Sequence, residues 1–565
     1  MVNFSNKQLL LLASLSLTAQ AVPNSNHKQQ SKYDMIVVGG GAGGLVTSTK
    51  FAEAGLKTLL LEHGGPMLYV DGNREIPEWS TKQYPGNNLT LHDTMMLYFF
   101  NYPGTGPNAS SYYCKNVKNL AACMLGGGTS VNAAQQWWPP KKYLENTYNL
   151  TGWTGDVFQE AIKRVAHRIP PTPTWSIDNK HYYDEVYHLM GSVLKSIGIS
   201  EVDTITDVEE KYDNFGRDVF AAKGGQRGGP LVGYLQDAKK LPNFTLMMNS
   251  PVTRVIRHGP HIKGVEVNGT VIYAKAVVLS AGTWNTPSIL FASGIGPKSE
   301  LATAKKIGFT KYAEKEWIIN DGVGANLHDN PQTTITLQYS NSSALPSYNM
   351  FGALAGNVSK ADADDLYLRR TGPLASPGRE LSGWIKVPYP HDASKYMVVQ
   401  TICSRPTTVD GNFNCQFCLN EGALSRGRVA LGQDGGMTFA EGEGRGPWLT
   451  NPLDTELYAT AMKRFIDGAN AYPGLTVTSP AGTHDVPYYV SYLNKTARAS
   501  NNHWGGSCSL GLCVDEDTLV HGTQNLYVID GSLSPAPTTS NPSFLYESIA
   551  ELASDRVIKK LSASR

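Results

Sequence analysis

The sequence predicts an α/β protein with a second, β-rich lobe, and three observations carry that prediction. Residues 33–63 read as strand, glycine turn, helix and strand. Short alternating runs between 244 and 279 end in a buried strand. Residues 330–500 hold alternating aromatic and β-branched stretches with proline-rich joins. At 565 residues the chain exceeds what a single hydrophobic core holds, so several domains, or one core elaborated by insertions, are expected.

The elements follow in order. Met35–Val38 is a short β-branched run, Leu45–Ala54 has helical apolar spacing, and Lys57–Leu61 is a second strand, together a βαβ unit. Gly39, Gly41 and Gly44 fit G-x-G-x-x-G. The first glycine allows the tight turn, the second lets backbone approach a pyrophosphate, and the third lets helix and strand pack closely. Glu62, at the end of the second strand, is placed to accept a hydrogen bond from a ribose hydroxyl. The reading is therefore a Rossmann-like dinucleotide site. A Gly-rich stretch, "LGGGTSVN" (125–132), follows an irregular aromatic segment. Its Gly128, Thr129, Ser130 and Asn132 give a backbone able to lie against a flat ligand, with hydroxyl and amide donors beside it. "FQEAIKRVAHRI" and "DEVYHLMGSVLKSIG" read as helices. Runs at 244–248, 252–257, 262–267 and 270–273 read as strands of a meander, ahead of the buried run Ala276–Leu279. "TTITLQYS", "KYMVVQTIC" and "GRVALG" read as strands of the β-rich lobe, and the last sixty residues as a strand, a loop and an amphipathic helix.

Charge excludes some functions. Lys plus Arg (49) nearly balance Asp plus Glu (48), and only 17% of residues are charged, so no global field draws nucleic acid or an acidic membrane. The expected partner is a small molecule. "KQLLLLASLSLTAQA" reads as a secretory signal peptide cleaved after about Ala21. Its apolar stretch, Leu9–Ala19, is too short to span a bilayer, and no later apolar run is long enough either. Sequons at Asn88, Asn108, Asn149, Asn243, Asn268, Asn341, Asn357 and Asn494 suit an exported, glycosylated chain. Export permits disulfides among the seven cysteines. Cys114 with Cys123 and Cys508 with Cys513 are the preferred pairs, and one cysteine is left over. Cys415 and Cys418 have CxxC spacing, but without a second pair of ligands a zinc site is not expected.

Four ordered stretches carry a resemblance: the fingerprint with Glu62; "LGGGTSVN"; "GTWNTPSILFASGIG" (282–296); and "NNHWGG" with "DGSLSPAPTTSNP". "DGVGANLHDNP" (321–331) is also familiar. On these the chain resembles the glucose-methanol-choline (GMC) flavoprotein oxidoreductases over essentially the whole mature sequence. "AACMLGGGTSVNAAQQWWP" and "RGGPLVGYLQDA" look most like the flavodehydrogenase portion of fungal cellobiose dehydrogenases. The N-terminal haem domain those enzymes often carry is not expected, because the signal segment runs almost into the fingerprint. Cys123 departs from the basic or amide residue common in the family.

The resemblance implies a discontinuous FAD-binding domain (32–140, 225–330 and 515–565) interleaved with a substrate-binding domain on an antiparallel sheet (141–224 and 331–514). It implies FAD held by Gly39, Gly41, Ala42, Gly43, Gly44 and Glu62 at its ADP part. Thr129 to Asn132 would lie near the isoalloxazine, Val252 near the adenine, and Asp530 and Pro542 near the ribityl chain and flavin ring. Covalent members carry a histidine just before the motif's asparagine. This chain has Val131 there, so noncovalent FAD is expected.

His503, in "SNNHWGGSC", admits four roles: metal ligand, partner of a thiol nucleophile, packed core residue, or acid/base catalyst. Too few ligands surround it for a metal, and Cys508 has Cys513 near enough to be oxidised. Beside the flavin motifs, a neutral imidazole suits removal of a hydroxyl proton during hydride transfer to flavin. Asn541 matches the family's second catalytic position, His or Asn, and an amide binds an alcohol oxygen without competing for the proton. Asn501 and Asn502 are candidate contacts to substrate hydroxyls or turn-forming amides. Trp504, Trp137 and Trp138 are stacking surfaces or core. The expected function is oxidation of an alcohol, a sugar or oligosaccharide first, by a dehydrogenase in preference to an oxidase. Its electron acceptor would be oxygen, a quinone or a redox protein. The alternatives are an alcohol-oxidising tailoring enzyme of secondary metabolism, a lyase or cyclase using the same scaffold without net redox chemistry, and a flavin-bearing binding protein.

Overall fold

The computed structural model describes residues 32–106, 108–442, 446–497 and 499–563, which fall in the unit Ser31–Arg565; the signal-peptide reading lies outside them. Strand Tyr33–Val38 is apolar at nearly every position because both faces of its sheet are covered. It pairs in parallel with Thr58–Leu61 on one side and with the end of Thr270–Leu279 on the other, Met35 opposite Thr58 and Ala276. The helix between the first two strands, Ala42–Glu53, starts three residues earlier than its apolar spacing predicts, because the fingerprint glycines form its first turn.

The expected meander is corrected in two ways. Phe244–Met247 leaves it to lie parallel beside Thr58–Leu61, Thr58 opposite Phe244. The runs at 270–273 and 276–279 are one ten-residue strand. Exposed Lys275 reads as a break in the sequence, yet the strand passes through it and changes neighbours. Thr270–Tyr273 pairs antiparallel with His261–Val267, and the later half pairs in parallel with Tyr33–Val38 and with Leu526–Val528. The result is a seven-stranded sheet with an antiparallel flank, Val252–His258 and His261–Val267.

The second sheet has eight strands. Its order is Leu475–Ser479, Pro331–Tyr339, Asn412–Leu419, Asp392–Ser404, Arg379–Tyr389, Asn214–Arg217 and Ser200–Glu201, with Ala499–Ser500 also paired to Pro331–Tyr339. All its pairs are antiparallel except the last, Ser200–Glu201 with Asn214–Arg217. One face packs Val399, Phe417 and Ile385 against helices Glu185–Ser196 and Pro452–Ala471. Period-two alternation then turns Gln400 and Gln416 to the opposite face. "GRVALG" corrects the reading of the β-rich lobe: Val429–Leu431 forms a ribbon with Met437–Phe439, whose side chains join the first core. Helix Gly155–Arg168 also belongs to that core. It packs beside the terminal helix Ser543–Ala563, Arg164 bridging Glu551 and Asp555.

Both expected disulfides are present, Cys114–Cys123 and Cys508–Cys513. A third joins Cys403 to Cys415, which the strand register places directly opposite each other, and leaves buried Cys418 as the free thiol among the described residues. Seven of the eight sequon asparagines are exposed. Asn243 is not, and its amide donates to Ala52 O (2.8 Å) and Leu56 O (2.9 Å).

Candidate active site

A cavity of about 700 Å³ runs from the fingerprint to His503. At its first end Gly39 has φ +103°, and a Cβ there would lie 2.3 Å from Ser280 O; one on Gly44 would lie 1.8 Å from Gly39 O. Those two glycines let strand and helix close up. Gly41 differs, since its Cβ would meet only Gly127 Cα, at 4.0 Å, so the position opens into the cavity. The N-terminus of helix Ala42–Glu53 has no side-chain cap and no acidic residue in its first turn, which leaves its N–H groups for a phosphate. Buried Glu62 accepts from Gly40 N and Gly64 N, both at 2.7 Å. Burial raises its carboxyl above the usual range against the pull of those two amides. Ala42, Gly43, Glu62 and Val252 all line the cavity.

In the middle, Gly128, Thr129, Val131 and Asn132 form the wall. Ser130 does not, since its hydroxyl donates inward to Leu125 O at 2.8 Å, and Gly44 serves packing alone. Arg227, buried, stitches this loop, donating to Thr129 O (2.9 Å), Asn132 O (2.7 Å) and Asn132 Oδ1 (3.1 Å). Asp530 and Pro542 also face the cavity. The Asp530 carboxylate accepts from Gly282 N, Thr286 Oγ1, and the N–H and hydroxyl of Ser532, which fills its lone pairs and makes it a clamp between two loops. Burial raises its carboxyl despite these donors.

At the far end His503 sits on the loop after Ala499–Ser500, enclosed on all but the cavity side. The loop is held by paired bonds between His328 and Gly505, by His503 N donating to Asp329 Oδ1 (2.8 Å), and by Tyr546 Oη donating to the carbonyls of His503 (3.2 Å) and Trp504 (3.0 Å). Asn330 spends its Nδ2 on Leu419 O (2.9 Å), so the Oδ1 that faces His503 Nδ1 at 3.0 Å is an acceptor. Asn501 Nδ2 also stands 3.4 Å from Nδ1, but the Asn330 oxygen is closer and the Asn501 amide donates to Cys418 Sγ, so the imidazole carries its proton on Nδ1 and Nε2 is the bare nitrogen. Asn541 Nδ2 stands 3.2 Å from Nε2. Loss of water and the nearby Arg379 guanidinium hold the imidazole down at about 3, so it is neutral. The pair can hold one hydroxyl, the amide N–H on its oxygen and Nε2 on its proton.

Asn501 and Asn502 line the same end of the cavity, Asn501 also donating to Cys418 Sγ (3.1 Å). Trp504 is both wall and core, within a cluster of Trp284, Phe439 and Trp448. Trp137 is core, edge-on to Trp384, and Trp138 packs on Phe544. Sequence reasoning missed Arg379 and Gln416 in the cavity wall, Arg227 behind it, and Asn330 behind His503. The available signal was polar residues at alternate positions of apolar strands, as in "NCQFCLN".

Family models described as GMC oxidoreductase match residues 33–332 with the N-terminal part and 424–550 with the C-terminal part. The chain belongs to the GMC oxidoreductase family. It is 24% identical over 605 residues to the glucose-methanol-choline family oxidoreductase mfmG of Annulohypoxylon moriforme, covering 93% of this chain and 94% of that protein. It is 23% identical to the patulin synthase of Aspergillus clavatus over 598 residues, 92% of this chain and 90% of that one. A solved variant of the formate oxidase of Aspergillus oryzae shares the fold, with a TM-score of 0.73 at 19% identity over 94% of this chain and 99% of that chain. As a GMC oxidoreductase the chain uses FAD and acts on alcohol-type substrates. The residues fit the cofactor: an uncapped helix N-terminus, an open Gly41 and the Glu62 carboxylate lie in one cavity with His503.

Proposed function

We propose that this GMC oxidoreductase is an exported dehydrogenase that oxidises a hydroxyl of a sugar or oligosaccharide, with His503 as base and Asn541 as the group that orients the substrate oxygen. The observation that carries the reading is the bare His503 Nε2 facing Asn541 Nδ2 at 3.2 Å in the cavity wall. Gly41, Ala42, Gly43, Glu62 and Val252 would hold the nucleotide part of FAD, and Gly128, Thr129, Asn132 and Pro542 its flavin part. Noncovalent attachment follows from Val131, which offers no nucleophile. Bound FAD supplies the hydride acceptor. Asn541 donates to the alcohol oxygen, and His503 Nε2 takes the hydroxyl proton as the carbon gives up its hydride. The Nδ1–H stays on Asn330 Oδ1 and keeps the ring from turning.

A polyhydroxylated substrate is supported by the wall around His503, which includes the polar side chains of Arg379, Gln416, Asn501 and Asn502. The second reading, a tailoring oxidation of a small alcohol, is favoured by the similarity to a patulin synthase. Export is supported by the signal-like N-terminus, the seven exposed sequons and the three disulfides. The segments 32–140, 225–330 and 515–565 would serve the cofactor, and 141–224 with 331–514 the substrate.

Anaerobic stopped-flow reduction of the holoprotein against sugars, aryl alcohols and aliphatic alcohols tests the function. Bleaching by sugars is expected, bleaching only by aryl alcohols discards the sugar reading, and no bleaching by any alcohol discards the oxidation. His503→Ala is expected to slow reduction by about 100-fold to 10,000-fold, and unchanged reduction would remove His503 from the chemistry.

A further inference from the structure

Behind His503 and Asn541 lie three further side chains, Asn330 at the end of "DGVGANLHDNP" and Gln400 and Asn420 in stretches that no motif marks. We infer that Asn330, Asn420 and Gln400 are positioning residues: with His503 and Asn541 they close a ring of five side-chain hydrogen bonds, all running in one sense, that sets which nitrogen of His503 is free and which end of the Asn541 amide faces it. The inference rests on the proposed roles of that pair.

Followed around, His503 Nδ1 donates to Asn330 Oδ1 (3.0 Å) and Asn330 Nδ2 to Asn420 Oδ1 (2.9 Å). Asn420 Nδ2 then donates to Gln400 Oε1 (3.0 Å), Gln400 Nε2 to Asn541 Oδ1 (3.2 Å), and Asn541 Nδ2 to His503 Nε2 (3.2 Å). Two backbone carbonyls fix the direction. Leu419 O accepts from Asn330 Nδ2 at 2.9 Å and Thr539 O from Asn420 Nδ2 at 2.8 Å, and a carbonyl cannot donate. Reversing the ring would turn a carboxamide oxygen toward each carbonyl and leave buried acceptors unpaired. It would also turn Asn541 Oδ1 toward His503 and demand a proton on Nε2, which removes the base.

The members come from the residue before Pro331–Tyr339, strand Asp392–Ser404, the residue after Asn412–Leu419, the loop after Ala499–Ser500 and the loop before the terminal helix. Asn330, Gln400 and Asn420 are buried, so they act without touching substrate. The ring contains no charged group. The charged side chains that face His503 are Arg379, across the cavity wall, and Asp329, which accepts from the His503 backbone N–H. A neutral ring orients the base without holding the proton once it has been taken.

Holoenzyme labelled with 15N-histidine, compared with its His503→Gln variant, gives the tautomer directly by two-bond proton–nitrogen correlation. Protonated Nδ1 and bare Nε2 are expected, and a proton on Nε2 overturns the ring. Gln400→Glu supplies a second readout. When protonated it can donate to Asn541 and keep the sense of the ring; when ionised it offers Asn541 only acceptors. The rate constant for anaerobic flavin reduction should therefore fall with rising pH where the unsubstituted enzyme is flat, by about 100-fold, with substrate affinity changed by less than about threefold. Gln400→Met should lose rate at every pH. Flat, undiminished profiles in both variants overturn the inference while leaving His503 as base; unchanged reduction in His503→Ala overturns the base itself. If neither Gln400 variant folds, the tautomer of the unsubstituted enzyme still decides.

Discussion

At the scale of single residues, the site depends on keeping an imidazole neutral in a place with little water. Desolvation comes first and the Arg379 charge second, and together they hold His503 at about 3 against 6.5 in an open chain. Only the unprotonated ring accepts a proton, and a depressed value keeps it unprotonated far into acid. Flavin reduction by a saturating, non-ionising alcohol is therefore expected to be level from pH 7 to pH 5 and to fall only as pH nears about 3, measured by anaerobic stopped flow. An acid limb near pH 6.5 would mean that the base lies in open solvent. Replacing Arg379 with Met should move the limb upward, because one of the two depressing causes is removed.

At the scale of elements, the glycines of one turn do two different jobs. Gly44→Ala forces a methyl against Gly39 O and should destabilise the first strand and helix, lowering the melting temperature of the apoprotein. A Cβ on Gly41 meets almost nothing in the protein, so Gly41→Val should fold with the melting point of the apoprotein kept and be isolated without flavin absorbance. Equal flavin content in the Gly41 variant and the unsubstituted protein would reject the phosphate cradle.

This turn was fully legible in the sequence, because its function lies in local spacing: strand, glycines, helix and acid succeed one another within thirty residues. His503 and Asn541 were legible through short motifs for the same reason. The joint role of Asn330, Gln400 and Asn420 was not, because strand register brings Asn330, from a distant strand, beside one hairpin that carries Gln400 and Asn420, and register is set by tertiary pairing. Phe244–Met247 was misplaced on similar grounds: its apolar pattern says strand and is silent on which neighbour it takes.

At the scale of the whole molecule, buried titratable groups set how stability varies with pH. His503 and His328 are both held at about 3 by burial, below the 6.5 of an unfolded chain. The unfolded chain therefore binds protons that the fold refuses, and stability falls as pH drops from 6.5 toward 3. Glu547 and Glu380 are pushed up by burial to about 8 from 4.5, so the fold retains protons that the unfolded chain releases. Stability then falls as pH rises from 4.5 to 8. Asp218 and Asp329, lifted by burial to about 6 from 3.8, act in the same sense as the glutamates, so the melting temperature should be highest at about pH 4 to 4.5 and decline toward both sides, as read by calorimetry; a steady rise to pH 8 would contradict this balance. On the surface, glycopeptide mapping of chain made through a secretory route should find glycan among the seven exposed sequons and none on Asn243, whose amide nitrogen is already bonded to two carbonyls.

The pairing of the first helix with the last gives the molecule a timetable. Lys50, on helix Ala42–Glu53, reaches Glu551, on helix Ser543–Ala563, at 2.6 Å across 501 residues of chain, and Leu526–Val528 is the last strand added to the first sheet. At a synthesis rate of roughly 5–20 residues per second, the opening βαβ unit waits on the order of half a minute or longer for the segment that covers it. During that interval the nascent chain exposes the side of its first helix meant for the last, and neither His503 nor Asn541 exists. The cofactor cavity and the catalytic pair are both completed only once Asp530, Asn541 and Pro542 have been made.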